Sequence, residues 1–235
     1  MGELKIKDKE IVVPGQILAE GMDYLPAGGA YRDKEEIISS TVGIVSLSGR
    51  LVKLVSLITR YIPKKGDKII GKVTDTTTAG WLVDFGFSKD AMIPIRDGSY
   101  DFIPKRADLK NYFAPGEYVL AGITNVTKSK AVDLSMKGQG LRKLSEGRII
   151  KVNAAKVPRI IGKEGSMISI IKETTDCRIS VGQNGLVWIS GTNQEKERLA
   201  VEAIKLIDEK AHIPGLTDEI KKFLEGKQGG KSGTR

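Results

Sequence analysis

The run Ile160-Ile161-Gly162-Lys163-Glu164-Gly165-Ser166-Met167-Ile168 constrains the fold more than any other stretch of this chain. Apolar residues stop at Ile161 and resume at Met167, so two short helices are joined by a turn with glycine at both corners. Glycine at 162 and 165 permits left-handed backbone and leaves no Cβ to hold another chain at a distance. The amides that open the second helix face outward as a ready anion site. A bare corner of this kind can lie against a sugar-phosphate strand. The same string also arises at an ordinary helix-turn-helix corner or helix end, so its surroundings must decide.

Upstream, residues 147–152 are β-branched and bounded by glycine, which predicts a strand, and 156–161 leaves room for one or two helical turns. Downstream, 166–174 places Met167, Ile168, Ile170 and Ile171 on one helical face. Residues 177–181 and 186–190 read as strands joined around Asn184-Gly185, a strong hairpin signal. Thr192-x-x-Glu195 reads as a capping box for a helix carrying Leu199, Ala200, Ala203, Ile204 and Ile207. Strand, helix, glycine turn, helix, strand, strand, helix is the βααββα order of a type I KH domain, a module that clamps roughly four single-stranded nucleotides. The candidate RNA contacts are Ile161, Gly162, Lys163, Glu164, Gly165 and Ser166 of the turn, within a positive field from Arg148, Lys151, Lys156, Arg159 and Lys172. Lys163 and Glu164 nearly cancel, so contact at the turn rests on backbone amides. Ile160, Ile161 and Ile168 hold the helices to the sheet, and the apolar groove beside the turn can seat bases.

Composition bounds the function classes. With 38 Lys+Arg against 29 Asp+Glu the formal net charge is +9, as suits a polyanionic partner. At 235 residues, with 40% hydrophobic and 29% charged residues, the chain is long enough for two or three globular domains. No apolar run approaches the roughly 18 residues that cross a bilayer, and the charged N-terminus is no signal peptide, so no membrane partner and a cytoplasmic location are predicted. One cysteine, Cys177, and one histidine, His212, leave no set for structural zinc and no intrachain disulfide. Cys177 reads as a small buried residue and His212 as part of a helix terminus. Asp84, Asp90, Asp97 and Asp101 lack the paired spacing that would converge on a cation. Neither metal, cofactor nor small-molecule substrate is predicted.

In the middle third, Tyr61-Ile62-Pro63-Lys64-Lys65-Gly66-Asp67 separates two apolar segments. Strands are predicted at 68–73, 81–85, 91–95, 118–123 and 132–136, with an irregular segment at 96–113, a spacing that suits a small closed barrel of the OB type. Arg96, Lys105, Arg106 and Lys110 in that segment form a basic loop, either lining an RNA path or merely solvated. The first sixty residues read as short strands between glycine corners, including Gly49, and carry no chemistry. Residues 217–224 suit a short amphipathic helix and 226–235 a disordered basic tail. The expected class is therefore α+β, mostly β. Its plan is a β-rich domain at 1–60, an OB-type barrel at 61–140, a type I KH domain at 145–212, and a helix with tail at 213–235.

Gly66-Asp67, Gly71-Lys72-Val73, Gly80-Trp81-Leu82-Val83-Asp84 and Leu134-Ser135-Met136-Lys137 resemble the barrel of ribosomal protein S-one. Val13-Pro14-Gly15-Gln16, Arg60-Tyr61-Ile62-Pro63-x-x-Gly66-Asp67 and Gly182-x-Asn184-Gly185-x-x-Trp188-Ile189 resemble the RNA-binding cap subunits of the archaeal exosome, over about residues 10 to 210. The resemblance implies a non-catalytic subunit that binds single-stranded RNA. Three copies would seat on a hexameric ring of RNase PH-like subunits, with the N-terminal module docking, and guide the RNA 3′ end into the pore for 3′-to-5′ degradation or processing. The chain departs from the S-one pattern at Ala79, Leu82 and Pro94, where rings and a histidine usually stand. Trp81, on the strand face of Val83 and Phe85, is expected to be buried or at an interface, which leaves the barrel to act through charge. A stand-alone RNA-processing enzyme, or an RNA-binding transcription or translation factor, is the other class in view.

Overall fold

The computed structural model describes residues 2–57, 60–104, 107–211 and 215–229. The chain divides into two compact units, Met1–Arg60 and Tyr61–Arg235.

The first unit contains β1 (Glu3–Leu4), β2 (Ile11–Val12), β3 (Ile17–Glu20), β4 (Leu25–Gly28), β5 (Ala30–Asp33), β6 (Glu36–Ser39), β7 (Gly43–Ser48) and β8 (Leu51–Ser56). They form two four-stranded sheets, β1-β3-β6-β5 and β2-β7-β8-β4, with β4 running parallel to β8. Gly49 takes φ +59° in the hairpin between β7 and β8, as its position predicts. Strand alternation sends Val45, Val52 and Leu54 inward to join Val12, Leu18 and Ile37 in the core. The opposite face of the second sheet is left with Ile11, Leu25, Leu51 and Val55 exposed.

The second unit opens with β9 (Lys68–Thr77), β10 (Gly80–Asp84), β11 (Ala91–Pro94), α1 (Ile95–Gly98), β12 (Tyr118–Val126), β13 (Val132–Ser135) and β14 (Arg142–Leu144). The order β9-β10-β11-β13-β12 closes on itself, because β12 pairs with both β13 and β9, and β14 extends the sheet from β12. Closure removes the free edges that an open sheet would expose. Ile69, Val73, Trp81, Val83, Ile93, Val119 and Leu134 fill the interior. All five strands fall where the sequence predicts them. Among its described residues, the segment expected to be irregular contains α1 and one 3-10 turn, Leu109–Asn111, whose Lys110 amide is capped by the Asp108 carboxylate at 3.0 Å.

The chain continues through β15 (Arg148–Lys151), α2 (Val157–Ile161), α3 (Ser166–Thr175), β16 (Arg178–Val181), β17 (Leu186–Ser190), α4 (Gln194–Lys210) and α5 (Leu216–Gly229). The three strands form an antiparallel sheet, β15-β17-β16. Val187 and Ile189 face the helices and meet Val157, Ile160, Ile171, Ala203, Ile204 and Ile207. Leu186 and Trp188 alternate to the other face, where with Ile149 they pack on Ile70, Leu120 and Leu144 of the barrel. The sheet is thus covered on both sides, which fixes the helical module on the barrel wall. Trp188 Nε1 donates to the Ser145 carbonyl at 3.1 Å, and the Arg142 guanidinium lies 5.4 Å from the indole centroid.

Two local expectations are corrected. The cap of α4 is Asn193, whose Oδ1 accepts from the Glu195 amide at 2.8 Å, and not Thr192. Asn supplies the same acceptor one residue later, so the helix begins one residue later. The last helix also runs past 224 to Gly229, so residues 226–229 belong to it and not to a tail. Its Leu216, Ile220 and Leu224 are buried with the α3 and α4 core, and that packing carries the helix through its glycines. Residues 230–235 and His212 lie outside the described residues.

Candidate nucleic-acid interface

The glycine turn is built by its flanking helices. A 3-10 turn, Ala154–Lys156, is capped by Asn153 Oδ1 on the Ala155 amide at 3.0 Å and leads into α2 with Pro158 in its first turn. Helix α2 ends at Gly162, which takes φ +77° and donates its amide to the Pro158 carbonyl at 2.9 Å. Glu164 and Gly165 follow at φ +52° and +83°, and the Gly165 amide returns to the Gly162 carbonyl at 3.3 Å. The cap of α3 is Gly165, with no side chain satisfying the first amides of the helix.

The two glycines do different jobs. A Cβ on Gly162 would fall 2.7 Å from both the amide nitrogen and Cβ of Met167, so this corner is closed on its inner side and only glycine fits. A Cβ on Gly165 would meet only Ile168 Cγ2, at 4.0 Å. The space beside Gly165 is therefore open to an approaching strand. Lys163, Glu164 and Ser166 are exposed around it, and neither glycine is buried.

The predicted contact residues divide by position. Arg159 on α2 and Lys172 on α3 are exposed on the helices that carry the turn, and Ile161 is half-buried against the core. Lys156 is bound to α4, with its Nζ 3.8 Å from Asp208 Oδ1 and hydrogen-bonded to the Asp208 carbonyl. Arg148 and Lys151 sit on β15, the opposite edge of the sheet from β16, the strand that packs beside α3. Arg178, exposed at the start of β16, escaped the sequence reading because a single arginine opening a strand carries no distinctive pattern. On the barrel, Arg96 is paired with Asp97 at 3.3 Å and Lys110 is exposed in the 3-10 turn, while Lys105 and Arg106 lie outside the described residues.

Trp81 is fully buried, as strand alternation predicts. Its Nε1 donates to the Leu109 carbonyl at 3.0 Å, and the Phe113 ring meets it edge-on at 5.1 Å. It pins the segment between β11 and β12 to the barrel and offers no face to a base. Three of the four acids considered for metal binding have separate partners: Asp84 accepts from the Gly86 amide, Asp90 from Thr74 Oγ1 and Asp97 from Arg96. Cys177 is buried in the KH core, where burial pushes its thiol pKa up and away from reactivity. Among the described residues no helix is long and apolar enough to cross a membrane.

A family model of the KH domain matches residues 147–206, the segment that holds the turn. The exosome complex component Rrp4 of Pyrococcus abyssi is 39% identical over 227 residues, covering 95% of this chain and 85% of that relative. This chain belongs to the Rrp4 family of exosome components. The Rrp4 proteins of Thermococcus kodakarensis and Methanothermobacter thermautotrophicus are 38% and 39% identical, covering 95% and 94% of the chain and 88% and 70% of their own lengths. A crystal structure assigned as an exosome complex RNA-binding protein is 34% identical with a TM-score of 0.65, and it covers 74% of this chain and 100% of its own. The resemblance drawn from the three separated motifs is thereby borne out, as are the KH identity of the glycine turn and the mostly β, α+β class.

Proposed function

We propose that this chain is a non-catalytic RNA-binding cap of an exosome, receiving single-stranded RNA and directing its 3′ end into a phosphorolytic ring of RNase PH-like subunits, three copies to a hexamer. The observation that carries the proposal is the open corner at Gly165, where a Cβ would meet only Ile168 Cγ2 at 4.0 Å and no side chain caps the start of α3. In this reading Gly162, Lys163, Glu164, Gly165 and Ser166 contact phosphates, Ile161 borders the base groove, and Arg159 and Lys172 supply the nearest positive field. Arg148 and Lys151 add longer-range attraction, and Lys156 acts through Asp208 by holding the entry to α2. Arg96, Lys105, Arg106 and Lys110 add sequence-blind attraction.

The N-terminal unit docks on the ring through the outward face of β2-β7-β8-β4. Ile11, Ile44 and Val55 stand opposite one another in register there, beside the Leu25–Leu51 pair. A partner surface would bury this apolar face, which is otherwise wasted on water. A cytoplasmic setting belongs to the same proposal.

The deciding experiment incubates the isolated chain with labelled single-stranded RNA, magnesium and phosphate, then adds the ring. RNA should be bound but intact with the chain alone, and shortened from its 3′ end once the ring is present. Degradation by the isolated chain would overturn the non-catalytic assignment.

A further inference from the structure

Tyr100 and Phe102 are 74% and 86% exposed. The stretch that holds them out is pinned at both ends. Gly98 sits so close beneath Trp81 that a Cβ there would lie 2.3 Å from Cζ3, and the neighbouring Asp97 carbonyl accepts the Met136 amide at 2.8 Å. Ile103 is buried in the barrel core on the other side, and Ser99 Oγ accepts the Asp101 amide between. Two rings one residue apart are thus presented to solvent from a fixed base.

The chemistry of the stretch favours one kind of occupant. The Arg96 side chain is 85% exposed but is paired with Asp97, and Asp101 stands between the rings, so phosphate attraction in this segment falls to the basic residues that follow and not to the positions of the rings themselves. The flanking Ser99, Asp101 and Pro104 interrupt any continuous apolar surface of the kind that forms the core of a protein interface. What remains is ring faces set among polar groups. Nucleobases fit that description, since they stack by their faces while their edges stay hydrated. We infer that Tyr100 and Phe102 form a base-stacking platform for single-stranded nucleic acid on the barrel, distinct from the glycine turn. This rests on the RNA-binding reading above and deepens it by naming bases, not phosphates, as the contacted groups.

The test is fluorescence anisotropy of the full chain with a labelled oligouridine and with a ribose-phosphate strand of equal length that lacks bases. The variants are Tyr100→Ala/Phe102→Ala, Tyr100→Leu/Phe102→Leu and the ring-preserving Tyr100→Phe/Phe102→Tyr. Loss of one stacked base corresponds to a decrease of about five- to 150-fold in affinity. The alanine and leucine pairs should show such a loss for oligouridine, with an unchanged slope of log affinity against log salt, and the ring-preserving pair should bind like the parent. None of the variants should change binding of the baseless strand. Equal oligouridine binding by parent and alanine pair would overturn the platform alone, and full oligouridine affinity in the leucine pair would show that apolar bulk, not ring stacking, makes the contact. A parent chain that binds neither probe would refute the RNA-binding reading itself. Thermal midpoints check that the exposed substitutions leave the barrel folded, and the ring-preserving pair discriminates even if alanine lowers them.

Discussion

Asn184 and Ile70 lie 114 positions apart and are paired as neighbouring strands would be: the Ile70 amide donates to Asn184 Oδ1 at 3.2 Å, and Asn184 Nδ2 donates to the Ile70 carbonyl at 2.7 Å. The same Nδ2 reaches the Phe85 carbonyl at 2.9 Å, and the Gln183 amide donates to the Lys68 carbonyl at 2.8 Å. Strand β10 pairs with β9 only as far as Lys72 opposite Asp84, so the backbone of β9 at Ile70 would otherwise have no partner on that side. The loop between β16 and β17 takes the place of the missing strand. One side chain thereby welds the helical module to the barrel and satisfies three buried backbone groups.

Replacing Asn184 with alanine leaves those groups unpaired and should lower stability by about 2–4 kcal/mol, given about 1–3 kcal/mol for a buried group left unmet. Asn184→Asp should cost more, because a carboxylate would face the Ile70 and Phe85 carbonyls where an amide now donates. Denaturant titration of both variants tests the order. A variant carrying alanine with an unchanged midpoint would show that the loop does not hold the two parts together.

Asn184 also marks where sequence reasoning stops. Asn-Gly between apolar runs predicts the hairpin correctly, yet the left-handed residue is Gly185, at φ +81°, while the asparagine is spent on a partner more than a hundred residues away. Local conformational chemistry is written in neighbouring residues, whereas a side chain's choice of partner across the fold is not. The same division explains the helical module. The spacing of Ile160, Ile171, Val187 and Ile204 reports its core faithfully, but the second buried face of its sheet, with Trp188 against Leu144, depends on where the barrel sits. At the glycine turn the sequence shows two glycines, and only the geometry separates the one required by Met167 from the one that keeps a surface open. Strand β14 went unpredicted because Arg142-Lys143-Leu144 has no apolar alternation and becomes a strand by pairing with β12.

The turn predicts an asymmetry between its glycines. Gly165→Ala should cost about 1–2 kcal/mol for a side chain at positive φ and still fold, while weakening RNA binding by placing a methyl group in the open approach. Gly162→Ala carries a similar backbone cost plus a clash with Met167, and should be the more destabilising of the two. Thermal midpoints and filter-binding titrations measured together separate these effects.

Lys163→Asp/Glu164→Asp changes the exposed tip from balanced to doubly negative at little backbone cost, because aspartate tolerates the left-handed conformation that Glu164 already occupies. RNA affinity should fall by about tenfold or more at moderate salt, and the salt slope should shrink by about 0.7 if Lys163 neutralises one phosphate. Unchanged affinity with an unchanged midpoint would remove the turn from the mechanism.

Acid should loosen the junction between β12 and β14. Glu117 accepts from Lys143 at 2.7 Å and from the Ala114 amide at 2.9 Å, and the Lys143 hydrogen bond chiefly holds its carboxyl below the usual range. Glu202 is held down likewise, first by Lys227 and then by Arg198. A carboxylate depressed in the folded state stabilises fully above its ordinary value of 4.5 and loses that contribution as pH falls through the lower folded value. The thermal midpoint should therefore decline below that pH, and Glu117→Gln should flatten the decline. At neutral pH the same variant should cost less than about 1 kcal/mol, since the pair is partly exposed.

Trp81 and Gly98 give a test of the barrel that also bears on function. A methyl group on Gly98 would lie 2.3 Å from Trp81 Cζ3 and 2.8 Å from Cη2, atoms that phenylalanine lacks at this position. Gly98→Ala should therefore cost about 1–3 kcal/mol in the parent chain through overpacking, and distinctly less in a Trp81→Phe background. Trp81→Phe itself should destabilise by leaving the Leu109 carbonyl without its indole donor. Because the indole is enclosed by Phe113, Tyr112 and Gly98, RNA affinity per folded molecule should not change in Trp81→Phe. Equal costs for Gly98→Ala in both backgrounds would mean that the glycine is not there to admit the indole. A loss of RNA affinity without unfolding in Trp81→Phe, with the Tyr100 and Phe102 rings still in place, would show that the indole itself meets RNA.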